Sequence, residues 1–169
     1  MKNRRIVLVG FMGCGKTTVA EDLARELDCA MIDLDSFIAE RVGRSPAQII
    51  QQDGEWAFRA IETQALRDSL QDHDARVLAL GGGAWTIEAN RVIVAEHDCL
   101  TVWLDAPFDS CWERINASKE IRPLAPDRES AKKLYESRLL SYQLAQVRVD
   151  ATGQDLPAEL LSQIDPGAA

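Results

Sequence analysis

The segment Gly10-Phe11-Met12-Gly13-Cys14-Gly15-Lys16-Thr17 constrains this chain more than any other stretch. An apolar run, Ile6-Val7-Leu8-Val9, leads into it, and a helix-like pattern over 17–27 follows. Buried strand, glycine loop and helix in that order make a phosphate cradle. Glycines let successive backbone N–H groups turn inward toward phosphate oxygens, and the helix N-terminus adds the positive end of its dipole. Lys16 then reaches the β- and γ-phosphates, and the Thr17 hydroxyl is placed to ligate Mg²⁺. Gly13, Cys14, Gly15 and Thr18 complete the expected nucleotide-binding set. The plain alternative is a glycine-rich turn with a chance lysine, and the flanking strand and helix argue against it. A nucleoside triphosphate is the expected ligand.

Net charge bears on how such a ligand can be held. At −8 with a pI near 4.8, the chain is a poor candidate for broad binding to nucleic acid or anionic membranes. Phosphates must be met by a few locally concentrated cations, so isolated arginines carry weight. The length of 169 residues suits one domain, 1–169, with a proper core. No apolar run is long enough to span a bilayer. Lys2, Arg4 and Arg5 precede an apolar stretch that breaks at once into the glycine loop, which reads as a first strand rather than a signal peptide. Cys14, Cys29, Cys99 and Cys111 show neither C-x-x-C pairing nor zinc spacing, and a reduced, cytoplasmic setting is expected. Cys29 and Cys99 read as core. Cys14 reads as a small loop filler, with a reactive thiol as the sharper alternative.

Strand-like runs at 5–9, 30–33, 76–80, 100–104 and 147–149 alternate with helix-like segments. That pattern predicts a parallel sheet covered by helices on both faces. Ser45-Pro46 marks a helix start, and 55–70 is the longest helical pattern. From 118 to 130 the chain is polar with two prolines, and is expected to be a mobile lid over the site.

Four further constellations point to chemistry. Asp33-Leu34-Asp35 ends the second strand, where ligands of open α/β sheets collect. Alternation along a strand would put Asp33 and Asp35 on one side, one for the magnesium shell and one to orient a hydroxyl. An N-cap pair for a helix near Ser36 is the competing explanation, and Asp105, at the end of another strand, is a rival metal acid. Gly81-Gly82-Gly83 follows the third strand and lets backbone approach a ligand closely. Arg59 and Glu62, three apart on one helix face, make either a surface ion pair or an arginine held ready for a carboxylate. Arg122 in the polar loop and Arg138 in the helix after it each read as a solvated arginine when taken alone. An arginine on a loop that closes over the glycine loop can neutralise charge on the transferred phosphoryl group.

Taken together, these residues resemble the shikimate kinase family. Gly10 through Thr17, Asp33-x-Asp35, Gly54-Glu55 with Phe58-Arg59 and Glu62, the triple glycine, Arg122-Pro123-Leu124 and Arg138 fall in its order and spacing. The resemblance runs from Ile6 to about Asp150. It implies a three-layer P-loop kinase fold with a five-stranded parallel sheet. It implies ATP as phosphoryl donor, Mg²⁺ as cofactor, shikimate as acceptor and a monomer. By that resemblance Asp35 contacts acceptor hydroxyls, and Arg59, Gly82 and Arg138 surround the acceptor carboxylate. Lys16, Asp35 and Arg122 are the catalytic set, Thr17 and Asp33 hold Mg²⁺, and Arg114 and Gln154 lie near adenine. The chain departs from the pattern at Ile50, where the family often has Phe, in a short 122–138 stretch, in Leu140-Ser141-Tyr142 for Pro-Leu-Tyr, and at Gln154. Other readings are a gluconate-kinase-like enzyme, a regulatory nucleotide switch, against which the lack of Asn-Lys-x-Asp counts, and a binding module without turnover.

Overall fold

All four residues of the first strand, β1 (Ile6–Val9), are buried. Successive strand residues face opposite sides, so both faces of the sheet around β1 are covered. The computed structural model describes residues 4–72, 74–153 and 155–164. The remaining strands are β2 (Ala30–Asp33), β3 (Ala75–Ala79), β4 (Leu100–Asp105) and β5 (Val147–Asp150). All pair in parallel in the order β2-β3-β1-β4-β5. This is the five-stranded α/β architecture expected from the sequence, with strand ends shifted by a residue.

Helices follow the strands: α1 (Lys16–Glu26), α2 (Leu34–Val42), α3 (Pro46–Asp53), α4 (Glu55–Ser69), α5 (Glu88–Glu96), α6 (Phe108–Ala117), α7 (Arg128–Tyr142) and α8 (Leu156–Ile164). A 3₁₀ turn, Ala84–Thr86, precedes α5. Ser45 caps α3 in a reciprocal box with Gln48, and Pro46 takes the first helical position, as the sequence predicts. The core runs along β1, β3 and β4 and takes in Phe11, whose ring meets Tyr135 edge-on at 5.2 Å. Each fully buried aliphatic or aromatic side chain contributes roughly 1.5–3 kcal/mol relative to exposure, so the central strands dominate stability.

Parallel pairing brings the carboxyl ends of β1, β2 and β3 to one edge. Leu8 O accepts from Leu80 N, 3.0 Å away, which carries the β1–β3 ladder to the point where both chains leave the sheet. The 10–15 loop departs from β1 there, the triple glycine from β3, and α2 from β2. Because β1 lies between β3 and β4, this edge is the switch point where open sheets form a crevice. The chain between α6 and α7, 118–127, lies over it, which is the segment expected as a lid.

One expectation fails in detail. Strand geometry ends at Asp33, and Asp35 is the second residue of α2. The Asp33 carboxylate accepts from Ser36 N at 3.0 Å and caps the helix, so the chain turns before alternation can reach Asp35. The two acids are thus separated by a helix start, yet both line the cleft at the phosphate-loop mouth, as the sequence predicts, and Asp35 lines the adjoining recess as well.

Candidate active site

Gly13 sets the shape of the phosphate loop. Its φ of +76° is closed to most L-residues, and a Cβ there would stand 2.7 Å from Cys111 O of α6. The loop is therefore wedged against α6. Arg114, also on α6, donates from Nη1 to Gly13 O at 3.0 Å, fixing a guanidinium beside the loop. Lys16, nearly buried, donates from Nζ to Gly10 O and Phe11 O, both at 2.9 Å. Cys14 is buried, with its Sγ 3.7 Å from Lys16 Nζ, which suits the loop-filler reading.

Thr17 Oγ1 lies 2.7 Å from Asp33 Oδ2, so a helix N-terminal hydroxyl and a strand-end carboxylate converge on one point. One carboxylate plus a hydroxyl is a fitting donor set for Mg²⁺, which keeps several waters and takes the rest of its shell from phosphates. Among the described residues no group of three or more His, Cys, Asp or Glu could hold a metal by itself. Asp105, the rival, is tied by Oδ2 to Arg148 Nε of β5 at 2.8 Å and does not line the cleft around Lys16.

Beside that cleft is a smaller recess, lined by Asp35, Arg59, Glu62, Arg138 and the triple glycine, with Ile50 and Leu124 among its apolar walls. Arg122 and Asp35 line both spaces and mark the junction. Arg122 pairs with Glu120 at 2.5 Å, while its buried Nε has no partner. The glycines admit charged side chains: a Cβ on Gly81 would lie 2.8 Å from Asp35 Oδ1 and 2.9 Å from Glu62 Oε1. On Gly82 it would lie 3.4 Å from Arg138 Nη1, and on Gly83 2.7 Å from Arg59 Cζ. The sequence reading had these glycines serving a ligand's approach to backbone. They also make room for four of the five ionic side chains of the recess, Asp35, Glu62, Arg138 and Arg59.

Burial governs the charges. Glu62 is fully buried, and its carboxyl is pushed up to about 7 by desolvation, against the pull of the Arg59 guanidinium. Burial disfavours the Arg59 cation, but Glu62 at 2.8 Å and Glu55 at 3.0 Å outweigh it, and its pKa rises. Asp35 is raised by burial and then by Asp33, with Lys16, Arg122 and Arg59 opposing. Arg138 is lowered, first by burial. Its guanidinium sits 5.9 Å from the Phe11 ring centroid. Asp35 Oδ1 and Glu62 Oε1 are both buried and without a hydrogen-bond partner, which is costly unless a donor arrives.

The expected residues Gly13, Gly15, Lys16, Thr17, Thr18 and Asp33 line the larger cleft. Asp35, Arg59, Gly82, Arg122 and Arg138 line the recess. Gln154 lies outside the described residues. Two residues that the sequence shows only as parts of longer motifs make contacts in the site that those motifs do not assign. Glu55 is a second partner of Arg59, legible from i,i+4 spacing. Tyr142 Oη donates to Gly82 O at 2.5 Å, a contact across sixty residues that no local signal announces.

A family model described as shikimate kinase matches residues 12–165. The shikimate kinase of Geobacter sulfurreducens is 40% identical over 156 residues, covering 90% of this chain and 84% of that protein. The shikimate kinase of Lactococcus lactis subsp. cremoris is 37% identical over 161 residues, covering 94% of each. Among solved structures, shikimate kinase from Acinetobacter baumannii in complex with shikimate matches with a TM-score of 0.89 at 31% identity, covering 98% of this chain and 94% of that one.

Proposed function

The chain belongs to the shikimate kinase family, and from that premise we propose that it transfers the γ-phosphoryl group of ATP to a hydroxyl of shikimate, giving shikimate 3-phosphate. The observation that carries this reading is the meeting of Arg59, Arg138 and Asp35 in one recess that opens beside the Lys16 cleft. A small acid with one carboxylate and three hydroxyls needs a guanidinium fork at one end and a hydroxyl acceptor at the other.

In this reading Arg59 and Arg138 take the carboxylate, and Gly82 lets it approach. Asp35 accepts a hydrogen bond from the attacking hydroxyl and receives its proton as the oxygen bonds to the γ-phosphorus and the bond from that phosphorus to the β–γ bridging oxygen breaks, releasing ADP. Lys16 turns from the loop carbonyls to the β- and γ-oxygens, and Arg122, at the junction of the two spaces, faces the transferred group. Thr17 and Asp33 would hold Mg²⁺, which neutralises charge on the β- and γ-phosphates when bound. Arg114 flanks the adenine, with Gln154 proposed near it. Phosphoryl transfer asks little covalent help, so positioning and charge stabilisation supply most of the acceleration. The 118–130 segment is proposed to close over both ligands and exclude water.

A coupled ADP-release assay over an acceptor panel tests the reading. Turnover with shikimate, and little with gluconate or nucleoside monophosphates, is expected. Turnover with either of those and none with shikimate refutes the acceptor assignment while leaving the kinase assignment standing.

A further inference from the structure

Asn90 has no place in the chemistry above, yet it is fully buried on α5 and uses both ends of its amide. Its Nδ2 donates to Ala84 O at 2.9 Å, and its Oδ1 accepts from Thr63 Oγ1 at 2.7 Å. A carbonyl can only accept, so the Ala84 contact fixes which end of the amide is which. The neighbours of those two partners are the telling point. Thr63 follows Glu62 on α4, and Ala84 follows Gly83, where an added Cβ would stand 2.7 Å from Arg59 Cζ. The same turn is held by Thr86 Oγ1 on Gly83 O at 2.7 Å and by Arg91 Nη1 on Trp85 O at 2.8 Å.

We propose that Asn90 is a positioning residue for the acceptor carboxylate site: by bridging α4 to the turn after the triple glycine, it sets the width of the slot in which Arg59 lies. This rests on the reading of the recess as the acceptor site. The argument is geometric. Arg59 is anchored to α4 through Glu62 and Glu55, and its other side is bounded by Gly83. The slot has one wall on α4 and one on the turn, and among the described residues Asn90 is the side chain whose hydrogen bonds join them. Neither Asn90 nor Thr63 lines the recess, so Asn90 acts only through the walls. A buried bridge of this kind is costly to break at one end, because the other partner is then left unpaired.

Thr63→Val keeps the shape and removes the hydroxyl donor, and Thr63→Ser keeps the donor. The expected result is a shikimate KM raised about tenfold by Thr63→Val, a free-energy change typical of one coupled network. The ATP KM should stay at its wild-type value, and Thr63→Ser should restore the acceptor KM. Asn90→Ala should do more of the same. If that variant folds poorly, the threonine pair still decides. The Arg59 Nε–H resonance, assigned by its loss in Arg59→Lys, gives a readout that needs no acceptor. It should move in Thr63→Val and return in Thr63→Ser. Loss of thermal stability with both KM values and the resonance unchanged would overturn the proposal and leave Asn90 a plain core anchor. If wild type ignores shikimate, the functional reading falls, and the resonance alone judges the positioning role.

Discussion

Gly83→Ala separates folding from function at this site. Gly83 has φ −103° and ψ −13°, a negative-φ bridge conformation that is open to alanine. A glycine-to-alanine change at a compatible position stabilises by about 0.4–1 kcal/mol through the unfolded chain. The added methyl, however, would sit 2.7 Å from Arg59 Cζ and Nη1, with Nη2 nearer still. To reach ordinary contact at 3.4 Å, the guanidinium must retreat by about 0.7 Å or more. It is the far end of a flexible side chain whose two carboxylate partners, Glu55 and Glu62, lie on its own helix, so the retreat can be taken up there at small cost to the fold. It costs the site much more, since a displacement near 1 Å in a positioning group lowers rate on the order of 10²-fold. Thermal unfolding should therefore place the variant within about 3 °C of wild type. The coupled assay should show acceptor KM rising steeply while ATP KM holds. A variant of normal stability with a wild-type acceptor KM would refute the claim that Gly83 exists to admit Arg59.

Lys16→Met should fold normally and lose turnover by on the order of 10²-fold or more, as for removing a preorganised cation, measured by ADP release. Asp33→Asn retains a side chain that caps α2 well, so it should raise the Mg²⁺ concentration needed for half-maximal rate without unfolding. Asp105→Asn, already committed to Arg148, should not, and the opposite pattern would exchange the two roles. Glu62 predicts a pH effect on stability: its carboxyl is raised to about 7 in the fold, so the folded state holds this proton longer than the unfolded one. The contribution is full below about pH 4.5 and is lost as pH rises through 7. Thermal midpoints of Glu62→Gln should fall less than wild type between pH 5 and 8, and equal slopes would show that Glu62 does not carry the effect.

The strands, the phosphate loop and the Ser45 cap were legible because each is written in a short window: apolar runs, glycines and a lysine at fixed spacing, a capping box. Where legibility failed, the deciding partner was elsewhere. Asp35 was placed on a strand because alternation is a local rule, but the strand's end is set by the Asp33 carboxylate taking Ser36 N. Asp105 remained a metal rival because nothing near it in sequence shows that Arg148, forty-three positions on, holds its carboxylate. Arg59 with Glu62 was visible as a pair at three-residue spacing, whereas the approach of Gly81 and Asp35 to the buried Glu62 carboxyl is a contact between distant segments.

Under the proposed function, the same juxtaposition is how an acidic chain would hold an anionic acceptor. Two of the three arginines at the recess already have carboxylate partners: Arg59 has Glu55 and Glu62, and Arg122 has Glu120. Arg138 has no ion pair among the described residues, is 5% exposed, and has its pKa lowered by burial. Folding has thus removed most of the water from one cation without supplying its counter-ion. An exposed ion pair gains little because water competes for both charges. Here the desolvation of Arg138 precedes any ligand, so an arriving carboxylate meets a donor that needs no further reorganisation. Arg59, cross-braced by two acids, contributes direction more than net charge. In the proposed reading, discrimination for a carboxylate would rest on Arg138 and its orientation on Arg59, and the glycines that admit both guanidiniums lie in one unbroken run.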